Sequence, residues 1–141
     1  MYVTWDESLS VGVAELDSDH KKLLAILDDF STACYAGQGS QDLHDILARL
    51  IENAKHHFDK EEALMDRHGY PMLAEHKKEH QKLIEQMERL ERSLCAEAVG
   101  AASFPLSVSN DTMKFLNNWL TDHIKADDLG YKPHLNSLGV R

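Results

Sequence analysis

A chain of 141 residues, 43% apolar and 28% charged, has the composition of one ordinary globular domain, too apolar for disorder and long enough to bury a core without disulfides. Its net charge of −9 excludes nucleic acid or an anionic membrane surface as the main partner, because both select basic patches. No stretch approaches the ~18 apolar residues of a membrane span, and Met1–Ser10, which carries Asp6 and Glu7, lacks the basic-then-apolar pattern of an export signal.

Along the chain, the residues before Ser18, with Trp5 and Val11-Gly12-Val13, read as an arm packed along a bundle of helices. From about Ser18 to Tyr35, Leu23, Leu24, Leu27, Phe30 and Cys34 recur at steps of three and four, which predicts an amphipathic helix with His20 on its inward face. Gly37, Gly39 and Ser40 then make a turn, with Ser40 as a cap. The second helix runs from about Gln41 to Arg67, and its inward stripe is Leu43, Ile46, Leu47, Leu50, Ala54, His57, Glu61 and Leu64. Gly69 suits a left-handed cap, and Pro71 opens a third helix that reaches about Ala98. Leu73, His76, His80, Leu83, Ile84, Met87, Leu90 and Leu94 form its face, while Lys77, Lys78, Glu79 and Lys82 form a solvated one.

Val99–Ser109, interrupted by Pro105, is a long connection. Asn110 or Asp111 caps a fourth helix, whose Leu116, Trp119 and Leu120 share a face with His123. Gly130, Pro133 and Gly139 then mark an irregular tail. Long helices joined mostly by short turns give an all-α, antiparallel up-down-up-down four-helix bundle, read as a single domain over 1–141: arm about 1–17, bundle about 18–128, tail about 129–141. Cys34 and Cys95, without a CxxC motif, fit a reducing cytoplasmic setting as two buried thiols.

This topology brings the polar members of the stripes together. A residue near the start of the first helix lies level with the end of the second, the start of the third and the end of the fourth, and these are the places of His20, His57 with Glu61, His76 with His80, and His123. Burying five imidazoles without partners would cost roughly 1–3 kcal/mol for each unsatisfied group. A metal satisfies them together, so a metal site is expected at one end of the bundle. His44, His56, His68 and His134 are out of phase or near helix ends and read as surface residues. Beyond His123 the spacing is ambiguous. Asp127 stands about 40° from the direction of His123 on a regular helix and Asp128 about 140° away, unless a π-type widening of the last turn brings Asp128 round.

Taken together, Trp5, Val11-Gly12-Val13, Asp17-x-x-His20, His57-Phe58-x-x-Glu61-Glu62-x-x-Met65, Tyr70-Pro71, His76-x-x-x-His80 and Trp119-Leu120-x-x-His123-Ile124-x-x-x-Asp128 resemble the bacterial hemerythrins over roughly Trp5 to Tyr131. Leu129 and Gly130 depart from the basic residues often found there. The resemblance implies two non-haem iron ions joined by an oxo or hydroxo bridge, and reversible binding of dioxygen. It implies His76, His80 and His123 on one iron, His20 and His57 on the other, and Glu61 and Asp128 bridging, with Asp127 the alternative that spacing favours. Five imidazoles, two bridging carboxylates and one bridging oxygen fill eleven of the twelve positions of two six-coordinate irons, which leaves one for dioxygen beside His20 and His57.

Imidazole and carboxylate also suit zinc or manganese, so iron rests on the resemblance. Leu24, Phe58, Leu116, Trp119 and Ile124 are the candidate apolar shell of the oxygen pocket, and core packing alone would also account for them. Three functions compete: oxygen storage, transport or sensing, with an oxygen-consuming protein as recipient; a di-iron peroxidase, oxidase or nitric-oxide-handling enzyme; and an oxygen- or redox-responsive signalling bundle. No second catalytic apparatus is visible, so a binding protein is the leading expectation and no residue is assigned a catalytic role.

Overall fold

The apolar stripes fold as four long helices: α1 (Ala14–Tyr35), α2 (Ser40–Arg67), α3 (Leu73–Gly100) and α4 (Asn110–Ala126). A 3-10 turn at Glu7–Leu9 precedes them, and a second at Asp128–Tyr131 leads into a short α5 (Lys132–Ser137). The computed structural model describes residues 4–37, 39–100 and 110–141, without the side chains of 40, 94–100 and 110–113. The helices form an antiparallel four-helix bundle in which α2 packs against both α1 and α3, and α4 against α1. Leu23, Leu27, Phe30, Leu43, Leu47, Leu50, Ala54, Met87, Leu116 and Leu120 are buried and fill the core.

Several expected boundaries move. The arm is shorter than 1–17, because α1 starts at Ala14. Asp17, in the first turn of that helix, reaches back to accept hydrogen bonds from the Val11 N–H at 2.8 Å and the Ser10 hydroxyl at 2.6 Å, and so ties the arm to the helix. The proline does not open the third helix, which begins two residues later at Leu73. Ser40 and Asn110 are the first residues of α2 and α4, so neither is the cap; Gly39 holds the cap position of α2. The expected connection at Val99–Ser109 falls outside the described residues beyond Gly100, as do the side chains of Ser40, Leu94, Cys95, Asn110 and Asp111.

The segment after Asp128 is not irregular. Pro133 lies in the first turn of α5, where a missing N–H costs nothing, so the residue that signals a break here helps to start a helix. Cys34 is half-buried, not fully buried, and burial pushes its thiol up to about 11.

Two glycines fix the ends that frame the site. Gly69 has φ +65° at the end of α2, and the Tyr70 and Gly69 N–H groups return to the carbonyls of Met65 and Asp66. This paired closure stops the helix at Arg67, three residues after Leu64, and turns the chain into α3. Gly12 has φ +72°, and a Cβ there would meet Asn136 Oδ1 at 2.5 Å. Asn136 in turn donates to the Gly12 carbonyl at 2.9 Å and to the Val140 carbonyl at 2.8 Å, so α5 is fastened to the arm.

Candidate metal centre

His20 stands in the second turn of α1, His57 and Glu61 near the end of α2, His76 and His80 at the start of α3, and His123 near the end of α4. Their side chains meet at one end of the bundle, where they and Asp128 are 0–4% exposed. Nε2 of His76 and of His123 lie 2.8 Å and 3.0 Å from Asp128 Oδ1, and Nε2 of His20 lies 3.2 Å from Asp128 Oδ2. Around Glu61, Nε2 of His80 and of His57 lie 3.2 Å and 3.4 Å from Oε1, and Nε2 of His20 lies 3.6 Å from Oε2. The donor atoms fall into two overlapping groups, each within 4.8 Å: Glu61, His76, His80, His123 and Asp128, and His20, His57 and Glu61.

These approaches are close but none is a hydrogen bond. All five Nε2 atoms are buried without a hydrogen-bond partner, and so are Glu61 Oε1 and both oxygens of Asp128. Leaving this many polar atoms unpaired in a core is expensive. Adjacent donors around an octahedral cation with bonds of about 2.1 Å stand about 3 Å apart, which is the spacing found here. The donor set therefore fits metal ions bound by imidazole and carboxylate.

The electrostatics of the metal-free protein point the same way. Burial alone would lower the basicity of His20, but Asp128 and Glu61 beside it raise its pKa to about 10. For His123, burial likewise lowers the value, and Asp128 and Glu61 outweigh it to give about 9. Burial would raise the carboxyls of Glu61 and Asp128, yet the surrounding imidazoles hold both well below the usual carboxylate range. Cations, whether protons or metal ions, are what this pocket stabilises.

Asp128, not Asp127, has its carboxylate in the cluster, and the expected π-type widening is not how it gets there. The Asp127 N–H still reaches the His123 carbonyl at 2.8 Å in an ordinary α turn, after which φ −121° at Asp127 leaves the helix and tightens the chain into the 3-10 turn that begins at Asp128. The break in helical phase rotates the fifth residue inward. Asp127 instead accepts from His123 Nδ1 at 3.1 Å.

Other polar partners were not legible in the sequence. Asp19 accepts from His57 Nδ1 at 3.0 Å, Glu62 from His80 Nδ1 at 2.8 Å, and the buried Tyr131 hydroxyl donates to Glu61 Oε2 at 2.5 Å. Asp19 and Glu62 are next to His20 and Glu61 in sequence, one helical step off the inward face, so periodicity places them with the solvent-facing residues. Only packing between helices reveals them.

All five candidate shell residues, Leu24, Phe58, Leu116, Trp119 and Ile124, are buried. Phe58 lies against the site, its ring stacked on His80 with centroids 3.9 Å apart and planes within 6°. Of the four histidines read as surface residues, only His56 is exposed; His44, His68 and His134 are half-buried, and none joins the cluster. His134 Nε2 pairs with the His68 carbonyl at 2.7 Å, and His44 lies near Asp45 and Glu91, so these two rings have polar partners at the bundle edge. A groove of about 560 Å³ between α3 and α4, lined by Leu83, Phe115, Trp119 and His123 among others, reaches the edge of the site.

The family described as the hemerythrin HHE cation binding domain matches residues 11–135. A bacteriohemerythrin of Methylococcus capsulatus is 30% identical over 136 residues, covering 96% of this chain and 98% of that protein. A bacteriohemerythrin of Stenotrophomonas maltophilia is 26% identical over 138 residues, covering 95% of this chain and 84% of its own length. Among solved structures, a crystal structure of wild-type hemerythrin aligns with a TM-score of 0.81 at 28% identity, covering 96% of this chain and 98% of that one.

Proposed function

Because the chain belongs to the hemerythrin family, we propose that it binds dioxygen reversibly at a pair of non-haem irons, for oxygen storage, transport or sensing. The observation that carries this reading is the convergence of five buried histidine Nε2 atoms, none with a hydrogen-bond partner, on the carboxylates of Glu61 and Asp128. In this reading His76, His80 and His123 hold one iron, His20 and His57 the other, and Glu61 and Asp128 bridge them with a solvent-derived oxygen. The irons supply the two electrons that reversible capture of dioxygen requires. The whole chain acts as one hemerythrin domain, and as a binding protein and not an enzyme.

Each supporting residue then has a definite task. Asp19, Glu62 and Asp127 accept from the Nδ1–H of His57, His80 and His123, which fixes the tautomer and turns the Nε2 lone pair toward the centre. Tyr131 holds Glu61 Oε2 and thereby orients the carboxylate. Its hydroxyl keeps its proton, because burial and the negative charges of Glu61 and Asp128 push its pKa well above the ordinary value. Leu24, Phe58, Leu116, Trp119 and Ile124 exclude water and withhold the protons that would drive irreversible oxidation.

The test is metal analysis of the purified protein together with absorption spectra recorded as the reduced protein meets oxygen and is then deoxygenated. Two irons per chain and a visible band that disappears on deoxygenation are expected. Zinc or a single metal, or a band that never reverses, would overturn the reading; sustained turnover with a reductant would move the protein to the enzyme class.

A further inference from the structure

The three carboxylates behind the histidine cluster are not equivalent. Glu62 Oε2 accepts from His80 Nδ1 at 2.8 Å and Asp127 Oδ2 from His123 Nδ1 at 3.1 Å, and among the described residues neither acid lies within ion-pair distance of a lysine or arginine. Asp19 does. Its Oδ2 accepts from His57 Nδ1 at 3.0 Å and also lies 2.9 Å from Lys60 Nζ. Lys60 is one turn beyond His57 on α2, and it bridges to Glu15 Oε1 at 3.3 Å, one turn before Asp19 on α1, so the packing of the two helices fixes the arrangement. The Asp19 side chain is 15% exposed and that of Lys60 32%.

An anionic acceptor on Nδ1–H pushes electron density through the imidazole and makes Nε2 a stronger donor. A cation on the same oxygen draws that density back. The two histidines backed by unshared carboxylates, His80 and His123, belong to the group of donors that includes His76; His57, backed by a shared one, belongs with His20, whose Nδ1 is buried without a partner. We propose that Lys60 is a positioning residue which holds Asp19 in place while limiting how strongly it polarises His57, and so keeps the His20–His57 side of the cluster the electron-poorer one, where metal is held in its reduced form more readily. This rests on His57 being an iron ligand.

Lys60 and Asp19 have opposite effects in this scheme, and that is the test. Iron-loaded wild type, Lys60→Met, Lys60→Arg and Asp19→Asn are compared for midpoint potential, autoxidation rate and the rate at which a chelator removes ferric iron. Lys60→Met should shift the potential downward and speed autoxidation several-fold; Lys60→Arg should behave as wild type. Asp19→Asn should shift the potential upward, slow autoxidation and weaken iron retention by about 10–100-fold. If Lys60→Met does not fold, Lys60→Gln serves in its place with the same expected direction. A merely structural salt bridge would move both positions in the same direction, and that result, or an unchanged potential in Lys60→Met, would overturn the inference alone. Failure of wild type to take up two irons would overturn it together with the proposed function.

Discussion

At the scale of single residues, the two neighbouring acids after α4 do different work although one position separates them. Asp128 has both oxygens inside the cluster and Asp127 sits behind His123. Asp128→Ala should therefore abolish the two-iron spectrum, whereas Asp127→Ala should keep it and weaken metal binding by about 10–100-fold, both read from iron stoichiometry and the visible band. The reverse pattern would exchange their roles. A pH prediction comes from His20 and His123, whose values rise from 6.5 to about 10 and about 9 in the metal-free protein. Stability from such groups is fully present below pH 6.5 and is lost as pH rises through their folded values. Metal binding demands deprotonated ligands, so the loaded protein should become relatively more stable over the same interval. Urea midpoints measured from pH 6.5 to 9 are expected to fall with chelator present and to rise, or hold, with iron bound; parallel slopes would show that the histidines do not bind the metal.

At the scale of elements, the helices were legible because period and length agree: the inward stripes of the first three repeat over about four turns or more, and tertiary packing had no reason to override them. The sites of failure are short and local. Pro71 and Pro133 are both plausible helix starters, and only the second serves as one, because the paired closure at Gly69 and Tyr70 consumes the residues that would have begun α3 earlier. Likewise no periodicity contains the exit of α4 into a 3-10 turn, since Asp128 reaches the cluster by leaving the helix and not by continuing it. The clustered histidines could be read because histidine on an apolar stripe is conspicuous; Asp19 and Glu62 could not, because an acid one step off that stripe looks like any solvated residue. The turn geometry carries its own prediction. Gly69→Ala should cost about 1–2 kcal/mol through its φ of +65° alone, while Gly12→Ala should cost more, because its Cβ also strikes Asn136; equal losses in thermal denaturation would argue against that contact.

At the scale of the whole molecule, one half of the bundle is hydrocarbon and the other half carries the histidines, and the two should respond separately to change. Leu47→Ala, at a fully buried position, should lower stability by about 2–5 kcal/mol and leave the shape of the iron spectrum unchanged. A distorted spectrum would mean that the core and the metal centre are mechanically linked over that distance. The closing segment joins the ends of the chain to this centre. Tyr131 reaches Glu61, Lys132 donates to the Ser10 carbonyl at 3.2 Å, and Asn136 holds Gly12. During synthesis these contacts emerge only after the four long helices. A nascent chain that has released its first three helices has five of the seven clustered side chains, but neither His123 nor Asp128, nor the latch that pins the arm. Partial clusters of that kind would hold a stray ion in an open and solvated setting. If the centre holds two irons as proposed, the pair is complete only once residues 123–136 have followed the first three helices out of the ribosome.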